Sequence, residues 1–285
     1  MVNIFDEVRI IFRGPCERLF IAYKPFGWHV CSPQKKKFSE SLSSVIGASL
    51  GIPEDSIKFP SKLKINQNGL VIGTTDSAMY SQITRIIENK QCTKCYTCLI
   101  DTNSSIFNHI GKGISELNGT IRFNLLQKKS QFEPNLHISN IQVTLEDSIL
   151  SQDTGLKSMK FKLTSLEHLS NPENAMNWPE TNMKSLSTYT NLLENNYSLE
   201  FQNKCLFELQ NKYLLELHNK YLLELEVNDK ILDKNLEEIL DQLGINISNK
   251  FHTITLNTIQ LPHPILKDKI ITAKINFPLE NFLSI

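Results

Sequence analysis

The sequence predicts a globular protein of mixed strands and helices. Three observations predict it. Leu19–Tyr23 is a short apolar run closed by Lys24-Pro25-Phe26-Gly27, a turn in which proline sets φ and glycine permits positive φ. Leu70-Val71-Ile72 is a second apolar run, led in by the polar turn Asn66-Gln67-Asn68-Gly69 and ended by Thr74 and Thr75. Asp76 then stands where a helix N-cap belongs, ahead of helix-friendly residues from Ser77 to about Glu88. Lys157 to Leu166 alternates well enough to form a further strand. A chain of 285 residues, 40% hydrophobic and 21% charged, can bury a substantial core as one large domain or two.

The net charge is zero, but its distribution is uneven. Residues 1–130 carry 17 Lys/Arg against 10 Asp/Glu, and residues 131–285 carry 13 against 20, so the front half is basic and the back half acidic. Such a chain can meet a polyanion with one face. Compositional drift between solvated surfaces produces the same totals. Six cysteines (Cys16, Cys31, Cys92, Cys95, Cys98, Cys205) are too few for a disulfide scaffold and favour a reducing compartment. No apolar run reaches the roughly 20 residues of a membrane span, and Asp6 and Glu7 stand where a signal peptide would be apolar. The expected location is intracellular, with cytoplasm, mitochondrion and plastid all open, and no membrane partner is expected.

Taken in order, residues 1–18 are a lead-in with a short strand at Val8 to Phe12. A basic tract (Lys35, Lys36, Lys37) precedes a helical patch at Leu42 to Leu50, ended by Gly51 and Pro53. Lys94 to Ile100 is strand-like. Cys92, Cys95 and Cys98 have ligand-like spacing, yet residues 95 and 98 on a strand point to opposite faces, so no metal and no cofactor are assigned. Asn118-Gly119, following Gly113, is a hairpin signal. Residues 170–198 read as a poorly ordered surface insertion. An eight-residue repeat starts at Leu206, Leu214 and Leu222, with a degraded copy from Ser198. Eight residues leave each copy rotated by about 80° on a helix, so duplication of one strand-like segment is the simpler account. Tyr221 to Val227 is the copy best suited to a core strand. A helix follows from about Leu232 to Leu243, with Gly244 as its C-cap.

The motifs resemble those of the RsuA/RluA-type pseudouridine synthases. Apolar strand plus Lys24-Pro25-Phe26-Gly27 resembles the family's Lys-Pro-x-Gly element. Phe59 to Asp76 resembles its catalytic stretch: Arg-Leu-Asp, two free positions, Thr-Ser-Gly, a Leu-rich strand and Thr-x-Asp. Anchored on Gly69, Lys62 takes the arginine's place, Leu63 the leucine's, and Lys64 that of the indispensable aspartate. Lys94-Cys95-Tyr96 followed by an apolar strand resembles Lys-x-Tyr, whose tyrosine packs against the target uracil. The family's Gly-Arg-x-His-Gln-Ile-Arg, whose arginine pairs with the catalytic aspartate, is replaced by VNDKILDKNLEEIL, and no arginine follows residue 122. His252, His263-Pro264 and Pro278 resemble scaffold positions of the family tail.

The resemblance implies an α+β fold: a mixed, mainly antiparallel bent sheet with flanking helices, over 19–279. A low-complexity insertion falls at about 170–220, and 280–285 form a tail. It implies an RNA cleft lined by Lys24, Lys62, Lys64 and Lys94, with Arg85 and Arg122 as further candidates. It also implies that the chemistry is lost. The reaction needs a carboxylate at the glycosidic bond, and an ammonium has the opposite sign and no lone pair. The expectation is therefore a degenerate homologue that binds structured RNA, rRNA or tRNA, inside a ribonucleoprotein with ribosomal proteins as partners. The alternatives are an active uridine-isomerising enzyme and a protein–protein scaffold without RNA.

Overall fold

In the computed structural model the described residues are 8–14, 18–31, 41–101, 116–128, 135–145, 156–165, 220–245 and 254–276. The first strand, β1 (Arg9–Arg13), pairs antiparallel with β2 (Leu19–Lys24), so the lead-in belongs to the sheet. Every residue of β2 is buried, the apolar run Leu19–Tyr23 and also Lys24 at its end. Helix α1 (Leu42–Leu50) is capped by the Ser41 hydroxyl, which accepts from Ser44 N, and stops at Gly51 in the left-handed region. A short 3-10 turn at Glu54–Ser56 leads to β3 (Asn68–Thr74). Asp76 accepts from the backbone N–H groups of Ala78 and Met79 and so caps α2 (Ser77–Glu88).

Four long strands follow: β4 (Thr93–Asp101), β5 (Glu116–Lys128), β6 (Asn135–Leu145) and β7 (Lys157–Ser165). Strand β8 (Lys220–Val227) precedes two short helices, α3 (Lys230–Lys234) and α4 (Leu236–Gln242). The chain returns through β9 (Thr255–Pro262) and β10 (Ile270–Lys274). Along the sheet the order is β1-β2-β3-β9-β4-β8-β7-β5-β6, with β10 paired to β9. Only β3 and β9 run parallel; the other pairings between named strands are antiparallel. The sheet is open, ending at β1 on one side and β6 on the other. This is the mixed, mainly antiparallel α+β architecture expected.

The junction that joins the two halves is narrow. Strands β3 and β9 meet at Asn68–Thr255 and Gly69–Leu256. Gly69 has φ of 120°, and a Cβ there would lie 2.3 Å from the Leu256 carbonyl oxygen, so only glycine fits this approach. Thr255 Oγ1 donates to Asn68 Oδ1 at 2.7 Å, which pins the same register from the side chains.

Two details differ from the sequence expectation. Asn118-Gly119 is not a hairpin tip but lies inside β5, paired to both β6 and β7. Glycine is needed there because a Cβ would meet the Thr144 carbonyl oxygen at 2.4 Å and the Phe161 ring at 2.7 Å. The expected helix over 232–243 is two pieces interrupted at Asn235, whose φ is −115°, and Gly244 has φ of 68° at its end. The insertion at 170–198, the repeat copies before Lys220, Gly113, the tract at Lys35–Lys37, His252 and Pro278 lie outside the described residues.

Candidate functional site

The loop that carries Lys62, Leu63 and Lys64 is held from below. Leu63 is buried, while Lys62 and Lys64 are exposed on either side of it. Gln67 closes the loop by accepting from Lys64 N at its side chain (3.0 Å) and donating its own N–H to the Lys64 carbonyl (3.1 Å). The turn after β2 docks against it, with Gly27 N donating to the Ile65 carbonyl at 2.9 Å. Lys24 locks both together. Its ammonium donates to the carbonyls of Gln67 (2.5 Å), Pro25 (3.0 Å) and Ile65 (3.5 Å). The side chain is 0% exposed, and burial pushes its pKa down to about 8. Lys24 thus fixes the loop from a buried position, unlike the exposed cleft-lining cation the resemblance implies.

Lys94 and Tyr96 are two apart on β4 and so lie on one face of the sheet. Both reach Asp233 on α3: Lys94 Nζ is 2.6 Å from Asp233 Oδ2, and the Tyr96 hydroxyl donates to Asp233 Oδ1. Burial and the Asp233 charge hold the tyrosine well above its ordinary pKa, so it stays a phenol donor. Lys94 is 4% exposed and is engaged by the half-buried Asp233 carboxylate, unlike the exposed cleft-lining cation the resemblance implies. This second departure has the same cause as the first. A lysine read alone looks solvent-facing, whereas here acceptors from distant elements compensate its burial.

Sequence reasoning missed the acidic side of the site. Asp229, Asp233 and Glu237 recur every four residues, and each meets a lysine from the body of the protein. Asp229 Oδ2 lies 2.6 Å from Lys157 Nζ on β7 and 3.2 Å from Lys90 Nζ, while its Oδ1 caps α3 by accepting from Ile231 N at 2.9 Å. Burial works to raise its pKa, but Lys157, the Ile231 N–H and Lys90 hold it at about 2. Glu237 on α4 lies 3.0 Å from Lys64 Nζ. Leu232, Leu236, Ile239 and Leu240 are buried on the stripe beside the acids. The helical segment is therefore seated by apolar packing and fastened along one edge by three carboxylates. The spacing of the acids was the available signal, and their partners were not, because they lie as far as 173 residues away.

The remaining candidates do not join this cluster. Arg85 is exposed on α2, and Arg122 sits on β5, separated from β4 by β8 and β7. Among the described residues Lys62 enters no ion pair. Burial pushes the Cys92 thiol up to about 11 and the Cys98 thiol to about 12, so both are protonated near neutrality. No group of three metal-binding side chains occurs among the described residues, and no helix there is long and apolar enough to cross a membrane.

No protein-family model and no curated protein matches the sequence. Among solved structures the chain is similar to human RNA pseudouridylate synthase domain containing 1, at 9% identity and a TM-score of 0.48, over 98% of this chain and 86% of that one. It is also similar to human RNA pseudouridylate synthase domain containing 4, at 12% identity and a TM-score of 0.41, over 94% of this chain and 88% of that one.

Proposed function

We propose that this protein binds structured RNA on a pseudouridine-synthase-like scaffold, does not isomerise uridine, and works within a ribonucleoprotein such as a ribosome. One observation carries the reading. The loop position at which the resembled family keeps its carboxylate holds Lys64, and the residue facing it from the helical segment is Glu237. On the alignment anchored at Gly69, this loop-to-helix ion pair resembles the family's with its charges exchanged. An ammonium there has no lone pair for attack at a glycosidic carbon, while it attracts phosphate. Lys62, exposed and without an ion pair among the described residues, adds a second cation on the same loop. A reducing intracellular compartment suits the thiols.

A second reading has one observation in its favour. Asp233 is a carboxylate beside Tyr96, the residue that resembles the family's uracil-packing tyrosine. Against an active role, both of its oxygens are engaged, one by Lys94 and one by Tyr96. The deciding experiment incubates the purified protein with unmodified ribosomal and transfer RNA, then measures pseudouridine and, separately, salt-dependent binding. Binding without conversion supports the proposal. Conversion abolished by Asp233→Asn supports the active enzyme, and absence of both supports a protein scaffold.

A further inference from the structure

Two exposed apolar side chains stand beside the Lys62–Lys64 loop. Phe26 is 52% exposed at the tip of the turn after β2, and Ile65 is 47% exposed one residue past Lys64. The two turns are not independent, because Gly27 N donates to the Ile65 carbonyl and Lys24 bridges both from beneath. Gly27 has φ of 79°, and a Cβ built on it would touch nothing within 4 Å, so the surface over this turn is open. Leaving an aromatic ring and a branched aliphatic side chain in water on a rigidly held surface costs burial that a core position would have supplied. Lys62 and Lys64 are exposed on the same loop as Ile65, so the joined turns present apolar side chains and cations together.

We infer that Phe26 and Ile65 form a platform on which an unpaired nucleobase stacks while Lys62 and Lys64 hold the adjoining phosphates. The inference rests on the RNA-binding reading above and adds to it a substrate class: RNA with an unpaired, accessible base, in preference to continuous duplex. Stacking needs a π-face, which every base offers once it leaves a helix, so the platform selects strandedness and not sequence. The clamp by Lys24 matters because a platform held in place before binding loses less conformational freedom when the base arrives.

The test compares two RNAs of equal phosphate number, a hairpin with an unpaired loop and a blunt duplex, by fluorescence anisotropy against the full chain. Wild type should prefer the hairpin. Phe26→Ala with Ile65→Ala should weaken hairpin binding by about tenfold, leave duplex binding within about twofold, and leave the salt dependence of both unchanged. Phe26→Trp should keep or increase the preference. Both positions are exposed, and a matching melting curve checks that the fold is intact. Equal hairpin and duplex affinity in wild type, or an unchanged preference in the double variant, overturns the platform while leaving RNA binding standing. Absence of salt-dependent binding to either RNA overturns the RNA reading, and the platform with it.

Discussion

The Lys64 ammonium lies 3.0 Å from the Glu237 carboxylate, tying the loop before β3 to the helix after β8 across 173 residues of chain. Lys64 is about half exposed in this pair, so the contact contributes less than about 1 kcal/mol to folding. On the proposed RNA-binding reading its larger effect is electrostatic, because Glu237 offsets a cation that would otherwise be available to phosphate. Glu237→Gln should therefore leave the melting temperature nearly unchanged and strengthen RNA binding at low salt. Lys62→Ala should reduce the log–log salt slope by about 0.7–0.9 and weaken all RNAs alike. An affinity indifferent to both changes would move the RNA surface away from this loop.

Lys94, Asp233 and Tyr96 should behave as a structural unit. Asp233→Asn leaves an ammonium that is 4% exposed without its counter-charge and should cost about 3 kcal/mol. Tyr96→Phe removes one donor to a charged acceptor and should cost about 1–2 kcal/mol. Replacing the ion pair together, Lys94→Met with Asp233→Leu, should cost much less than Asp233→Asn alone. Urea melts of the three variants check the ordering. A double variant at least as unstable as Asp233→Asn would mean that the buried ammonium is not what the carboxylate compensates.

Much of the local structure was legible because it follows from one element at a time. Asp76 capped the helix it preceded, Gly51 ended α1, and alternation in 157–165 marked β7. What was hidden depends on neighbours far along the chain. Asn118-Gly119 has the composition of a turn, but the crowding of Thr144 and Phe161 makes the glycine a strand residue. Lys24 and Lys94 have the composition of a basic surface, but Gln67 and Asp233 turn them inward. Nothing local distinguishes a lysine that meets a phosphate from one that meets a carbonyl.

Two groups make stability depend on pH in two separate windows, and in both windows stability rises with pH. Asp229 is held at about 2, below its unfolded value of 3.8, so its contribution is complete above about pH 4 and lost as pH falls toward 2. Asp229→Asn keeps the cap on α3, since asparagine accepts the same N–H, and isolates the charge. It should cost about 2 kcal/mol at neutral pH and nothing at pH 2. Lys24 shifts in the same direction for a different reason, because burial penalises its charged form. Its folded pKa of about 8 lies below the unfolded 10.5, so the unfolded chain holds the extra proton between those values. Stability from this group therefore rises from pH 8 to 10.5, and Lys24→Met should remove the rise. Melting temperature against pH measures both.

The eight-residue repeat gives the last test. Strand β8 begins at Lys220, and Tyr221 pairs with Ile100 on β4 and Ser165 on β7. The copy before it ends in the same three residues: Asn211, Lys212 and Tyr213 match Asn219, Lys220 and Tyr221. Deleting Leu214 to Tyr221 therefore joins Tyr213 directly to Leu222 and rebuilds β8 with an identical sequence. Both of its ladders keep their register, because a shift by one would turn Leu223, Leu225 and Val227 out of the core. The shortened connection from β7 changes closure entropy by a fraction of the roughly 0.6 kcal/mol that a doubling of loop length costs. The deletion should lower the melting temperature by less than about 5 °C, with the transition still cooperative. Deleting four residues instead, Leu214 to Leu217, leaves the sequence of β8 intact and serves as a control for loop length alone. A loss of well over about 10 °C on removing the full period, with the control unaffected, would place the earlier copy in the core.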